Sequence, residues 1–98
     1  MATFITTMHF TEQGIKSVRQ SCERAAAFKA TAQKMGVKVT GEYWTLGTFD
    51  GVVIFEAPDE VTATAAMLHL SSGGEVRTQT ARALDAAEMQ KILGLLPK

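Results

Sequence analysis

Apolar and polar residues alternate near the start of the chain and then change to a helical spacing. Residues 3 to 10, TFITTMHF, are rich in β-branched and aromatic types, which predicts a strand. Phe4, Met8 and Phe10 fall on one parity, and Ile5, Thr7 and His9 on the other. Thr11 offers an N-cap oxygen, and Glu12 an acid for the first turn of a helix. Ile15, Val18, Cys22, Ala25, Phe28, Ala32 and Met35 then recur at spacings of three and four. That pattern predicts one helix of about six turns with a single buried stripe, ended by Gly36.

A second strand is expected from Val37 to Leu46, with Gly41 as a bulge or close-contact point. Gly47 to Gly51 carries turn chemistry, and Val52 to Glu56 reads as a short apolar strand. Pro58 and Asp59 open a second helix, with Asp59 as cap and Val61, Ala65 and Leu68 as its inward set; Ser71 to Gly74 closes it. Residues 76 to 84, VRTQTARAL, alternate as a fourth strand. Asp85 and Glu88 have capping-box spacing ahead of a short terminal helix whose apolar face is Met89, Ile92, Leu93 and Leu96, stopped by Pro97. The order β-α-β-β-α-β plus a terminal helix predicts an α+β, ferredoxin-like sandwich. Its four-stranded antiparallel sheet carries both long helices on one face.

The hairpin GEYWTLGTFDGVVIFEAPDE, residues 41 to 60, raises a difficulty for that arrangement. Tyr43 and Phe55 are bulky on one parity, and Trp44, Leu46 and Ile54 on the other. If the helices cover one sheet face, Trp44, Leu46 and their neighbours are expected to face outward. Such a patch is large for a monomer. A second copy laid sheet against sheet would close an eight-stranded barrel, so a homodimer, or a multiple of dimers, is expected. The terminal helix is too short to cover four strands instead.

Composition narrows the function classes. At 98 residues, 46% hydrophobic and 20% charged, the chain is expected to form one domain, residues 1–98, with a modest core. Ten basic residues balance ten acidic ones, so no net field recruits nucleic acid or an anionic membrane. The N-terminus has no basic, then apolar, leader pattern, and no segment is apolar for a bilayer's thickness. A cytoplasmic protein is expected. Cys22 is the only cysteine and lies on the first helix's apolar stripe, which predicts a small buried packing residue. Two histidines and one cysteine, far apart, make no metal site, and no nucleotide-binding or serine-hydrolase pattern is present. No cofactor is expected.

The residues able to carry chemistry are few. His9 is suited to act as a base or a ligand contact, although a strand-end histidine hydrogen-bonded at the rim is the plainer reading. Glu42 and Trp44 share a parity with Thr40 and, if that parity faces the barrel, project into the same space as His9. Trp44 as a dimer anchor is the commoner use. Arg77 and Arg82 lie on opposite parities, so only one points inward on a regular strand; Arg82 would clamp an anion, with an ion pair as the plainer role. Asp50 is expected to satisfy amides of the hairpin turn.

The stretches TEQGIKSV from Thr11, YWTLGTFDGVV from Tyr43, EAPDE from Glu56 and GEVRT from Gly74 occur in an order that resembles the bacterial and archaeal GYD-domain family. The resemblance covers nearly the whole chain. Gly47-Thr48-Phe49-Asp50 stands where the family has its Gly-Tyr-Asp signature, so the tyrosine hydroxyl is missing. The resemblance implies a dimeric α+β barrel and carries no catalytic residues across. The leading expectation is therefore a dimeric barrel that binds a small apolar molecule or serves as an assembly module. The alternative is a cofactor-independent enzyme, of oxygenase or isomerase type, acting on a small aromatic or lactone-like substrate. In that case His9 would be the base, Arg82 the anion clamp and Trp44 the stacking wall.

Overall fold

In the computed structural model, which describes residues 1–98, the chain runs β1 (Ala2–Phe10), α1 (Glu12–Lys16), one 3₁₀ turn (Val18–Gln20), α2 (Ser21–Lys34), β2 (Lys38–Trp44), β3 (Gly51–Ala57), α3 (Glu60–Ser72), β4 (Val76–Ala83) and α4 (Ala86–Gly94). The strands pair antiparallel in the order β2-β3-β1-β4. This is the ferredoxin-like order: the hairpin strands are neighbours, and each helical crossover skips one strand. The expected α+β fold and its four strands are present.

The core lies between one sheet face and the helices. Phe4, Val37, Val39, Val53, Phe55 and Ala57 bury against Phe28 and Ala32 of α2 and Ala63, Ala66 and Met67 of α3. Phe4 and Phe55 stack with ring centroids 5.4 Å apart. Thr6 is fully buried among them, and its hydroxyl lies 2.7 Å from that of Thr80 and donates to the Met67 sulfur. A buried hydroxyl is tolerated because it is hydrogen-bonded.

The first helix departs from the single six-turn element that its periodicity predicts. Thr11 caps α1 as expected, accepting from the Gly14 amide at 3.0 Å. The helix then breaks at Ser17 to Gln20. The Ser17 carbonyl accepts from the Gln20 amide at 3.0 Å and from the Arg24 guanidinium at 2.8 Å, while the Ser21 amide turns to Val18 instead. Serine side chains competing for nearby carbonyls end the α-ladder here. The break rotates the stripe, so Ile15, Val18 and Cys22 are exposed, and only Phe28 and Ala32 of α2 are buried. Cys22 is therefore a solvent-exposed thiol and not a packing residue.

Gly14 shows how closely α1 is held. A side chain there would collide with the Glu75 carbonyl, the same group that accepts from the Thr11 amide at 3.0 Å.

In α3 the inward face is Ala63, Ala66 and Met67, not the expected Val61, Ala65 and Leu68; Val61 and Leu68 point to solvent. Apolar residues lie all round this helix, Val61, Ala65, Leu68 and Leu70 as well as the inward set, so its sequence carries no distinct apolar stripe. Close approach of small residues and the reach of Met67 to Thr6 fix which side turns inward. Asp59 caps α3 through the Thr62 amide at 2.8 Å, and Asp85 and Glu88 form a full capping box on α4.

Candidate functional site

A bulge in β2 sets the geometry of the site. Val39 pairs with Phe55, but the next pair is Gly41 with Ile54, leaving Thr40 as an extra residue. One inserted residue shifts every later side chain to the opposite face. Glu42 and Trp44 therefore stand across from Val53 and Gly51, on the helix side, while Tyr43 stands across from Val52 on the open side. The outward position expected for Trp44 belongs to Tyr43. Leu46 lies beyond the strand, fully exposed.

The displaced pair lines a cleft of about 290 Å³ between the sheet, α2 and the last turn of α3. It opens where β1 and β2 end and β3 and β4 begin. Met8, Phe10, Phe28 and Val53 supply apolar walls, and Arg24, His69 and Glu75 stand at its margin. Partial burial lifts the Glu42 carboxyl above its ordinary value of 4.5, and the positive charge of Lys29 opposes that shift.

The other candidates lie elsewhere. β1 residues of His9's parity face away from the helices, so His9 occupies the opposite sheet face from Glu42 and Trp44. Its Nε2 is 2.8 Å from the Thr48 carbonyl, which joins the end of β1 to the hairpin loop. Arg82 is on the helix side at the far end of the sheet, over the Phe4 ring at 5.7 Å. Its guanidinium donates to Glu88 at 2.6 Å and also to the carbonyls of Thr3 and Ala83. It edges a second cavity of about 280 Å³ with Phe4, Glu60 and Met67. The structure thus brings Glu42 and Trp44 together and separates both from His9 and from Arg82. Lys29 as a charge acting on Glu42, and Arg24 in the same cleft, were not legible, because only the bulge brings β2's carboxylate to the helix side.

The face away from the helices is bare. Ile5 and Tyr43 are 39% and 59% exposed there, beside the partly buried Val52 and Ile54 and the small Ala81. Lys38, Glu56, Arg77 and Gln79 share this face around them. The terminal helix α4 does not cover it and has no buried residue, so Met89, Ile92, Leu93 and Leu96 remain exposed. No helix is long and apolar enough to cross a membrane.

The family model of the GYD domain matches residues 4–93, from β1 into α4. The chain belongs to the GYD-domain family. A curated relative from Thermus thermophilus, named "Glutamine synthetase and cystathionine beta-lyase binding protein", is 36% identical over 90 residues, covering 91% of this chain and 95% of the relative. No solved structure matches the chain significantly.

Within this GYD domain, the stretch from Gly47 to Asp50 is a structural clasp. Gly47 has φ +127°, a conformation that side chains rarely adopt. Asp50 reaches past its own turn: its carboxylate accepts from the Phe10 amide at 2.8 Å, and its own amide donates to the Met8 carbonyl at 2.8 Å. The expected bonds from turn amides to the Asp50 carboxylate are not made; within the loop the Thr45 amide donates to the Asp50 carbonyl.

Proposed function

We propose that this GYD-domain chain works in the cytoplasm as a homodimer, sheet face against sheet face, and that the dimer is a protein-binding module. The observation that carries the dimer is the uncovered apolar sheet face, on a chain with surface in excess of a compact monomer's. The chain exposes 6710 Å², about 1,200 Å² more than the roughly 5,500 Å² of a compact monomer of this mass. Its radius of gyration of 15.0 Å likewise exceeds the roughly 12.6 Å of a compact chain of this length. A standard interface removes about 800 Å² from each partner. The open face has the matching composition, an apolar centre of Ile5, Tyr43, Val52 and Ile54 within a charged and polar rim. A second copy would meet it with the same residues, as two-fold interfaces require. The exposed, unpaired Cys22 thiol suits a reducing compartment.

The name of the Thermus relative supports the protein-binding role. On that likeness the partners proposed for this chain are glutamine synthetase and cystathionine β-lyase of its own organism. The exposed row of α4 and the outward Val61 and Leu68 of α3 stay free when the sheet faces meet, and they supply apolar surface for a partner. The test is sedimentation velocity of the full chain mixed with each purified enzyme. Co-migration at micromolar concentration, weakened by Leu93→Asp, is expected. Separate migration with both enzymes would remove them as partners.

A further inference from the structure

The cleft beside Trp44 has a chemistry that neither the dimer nor protein binding uses. Its volume of about 290 Å³ is just below the usual range for small-molecule pockets, about 300–1,000 Å³, and suits a small ligand. Its walls are aromatic and aliphatic: Phe10 and Phe28 with Met8 and Val53, and Trp44 at the mouth. The charged groups around it are not equivalent. On α2, Arg24 already donates to the carbonyl and hydroxyl of Ser17. After α3, Glu75 accepts from the Gln13 side chain at 3.1 Å. Neither of the chain's ion pairs, Lys16–Glu12 and Arg82–Glu88, involves Glu42. Glu42 on β2 is thus a partly buried carboxyl group with no bonded partner, facing an apolar space. Lys29 acts on it only at a distance, and His69 on α3 stands across the cleft.

We propose that this cleft binds a small organic cation, a compound with a protonated amine at one end and a short hydrocarbon or aromatic body. The ammonium would meet the Glu42 carboxylate beside the Trp44 ring, where charge and π-face both favour a cation. The hydrocarbon body would lie among Phe10, Phe28 and Met8. An anionic ligand would be repelled by the unpaired Glu42 carboxylate, and the guanidinium at the margin already donates through Nη1 to Ser17. A wholly apolar ligand would leave the carboxylate desolvated and unpaired, which costs free energy.

Trp44 is the only tryptophan, so its emission reports directly on the site. The experiment titrates phenethylamine into the full-length protein at neutral pH and follows Trp44 fluorescence, with calorimetry as a second measure. Hydrocinnamate, similar in size and opposite in charge, is the comparison. Saturable binding of the amine is expected, with hydrocinnamate and the Glu42→Gln variant each at least about tenfold weaker. Glu42→Gln is checked by circular dichroism, and it should fold, since it removes a partly buried charge. Equal binding of amine and anion, unchanged binding by Glu42→Gln, or no saturable response to the amine would each overturn the proposal.

Discussion

The Asp50 carboxylate accepts a hydrogen bond from the Phe10 amide at 2.8 Å, across 40 positions of sequence. It fixes the last residue of β1 to the loop between β2 and β3, beside the mouth of the cleft. His9 makes a parallel link to Thr48 at 2.8 Å, but in a more exposed position.

The two links should differ in weight. Removing the acceptor leaves a partly buried amide unpaired, so Asp50→Ala should cost about 1–3 kcal/mol in urea unfolding. His9→Ala exposes its partner to water and should cost less than about 1 kcal/mol. A larger loss at His9 than at Asp50 would mean that the rim histidine has a role beyond this bond.

Stability should respond to pH in two opposite senses. The Glu42 carboxyl is raised by burial, so it favours the folded state most below 4.5, and that contribution is lost as pH rises through its folded value. Asp59 is lowered, chiefly by the Thr62 amide, and Glu88 is lowered, chiefly by the Asp85 amide and then by Arg82. Their contributions are present above the ordinary carboxylate range and fade as pH falls through their folded values. Unfolding midpoints of wild type and Glu42→Gln, measured across the acid range, should separate these effects. The variant should gain on wild type as pH rises above 4.5. A gap that stays constant with pH would refute the burial of this carboxylate.

The terminal helix is attached mainly through Arg82 and Glu88, paired at 2.6 Å. Replacing Arg82 with alanine removes that pair while leaving the Asp85 capping box intact. Hydrogen exchange should then quicken across residues 86–94 with little change in β1 and β3. Exchange unchanged in α4 would show that a contact other than the Arg82–Glu88 pair holds it.

Much of the fold was legible because local signals agreed: caps at Thr11, Asp59 and Asp85, a glycine-rich turn between the hairpin strands, and alternation in β1 and β4. The site was harder to read, since it depends on one extra residue. Gly41 marks a position where a side chain would meet the Tyr43 ring at 3.1 Å, so the sequence carried a sign of irregularity there. It did not say whether the glycine marks a bulge or only a close contact, and the bulge alone exchanges Tyr43 and Trp44 between faces. The broken first helix was hidden for a similar reason. Its apolar spacing continues through Ser17 and Ser21, whose competing hydrogen bonds leave no trace in periodicity. Alanine-rich α3 offered no stripe from which to choose an inward side.

The central claim is that a second copy covers the open sheet face, and the most direct test is sedimentation velocity of the full chain at micromolar concentration. Wild type should sediment at twice the chain mass of 10.6 kDa, or a multiple of that dimer. Ile54→Asp, which places a charge at the centre of the face beside Tyr43, should shift it to the monomer. A wild-type monomer, or a dimer indifferent to charge at Ile54, would contradict the account.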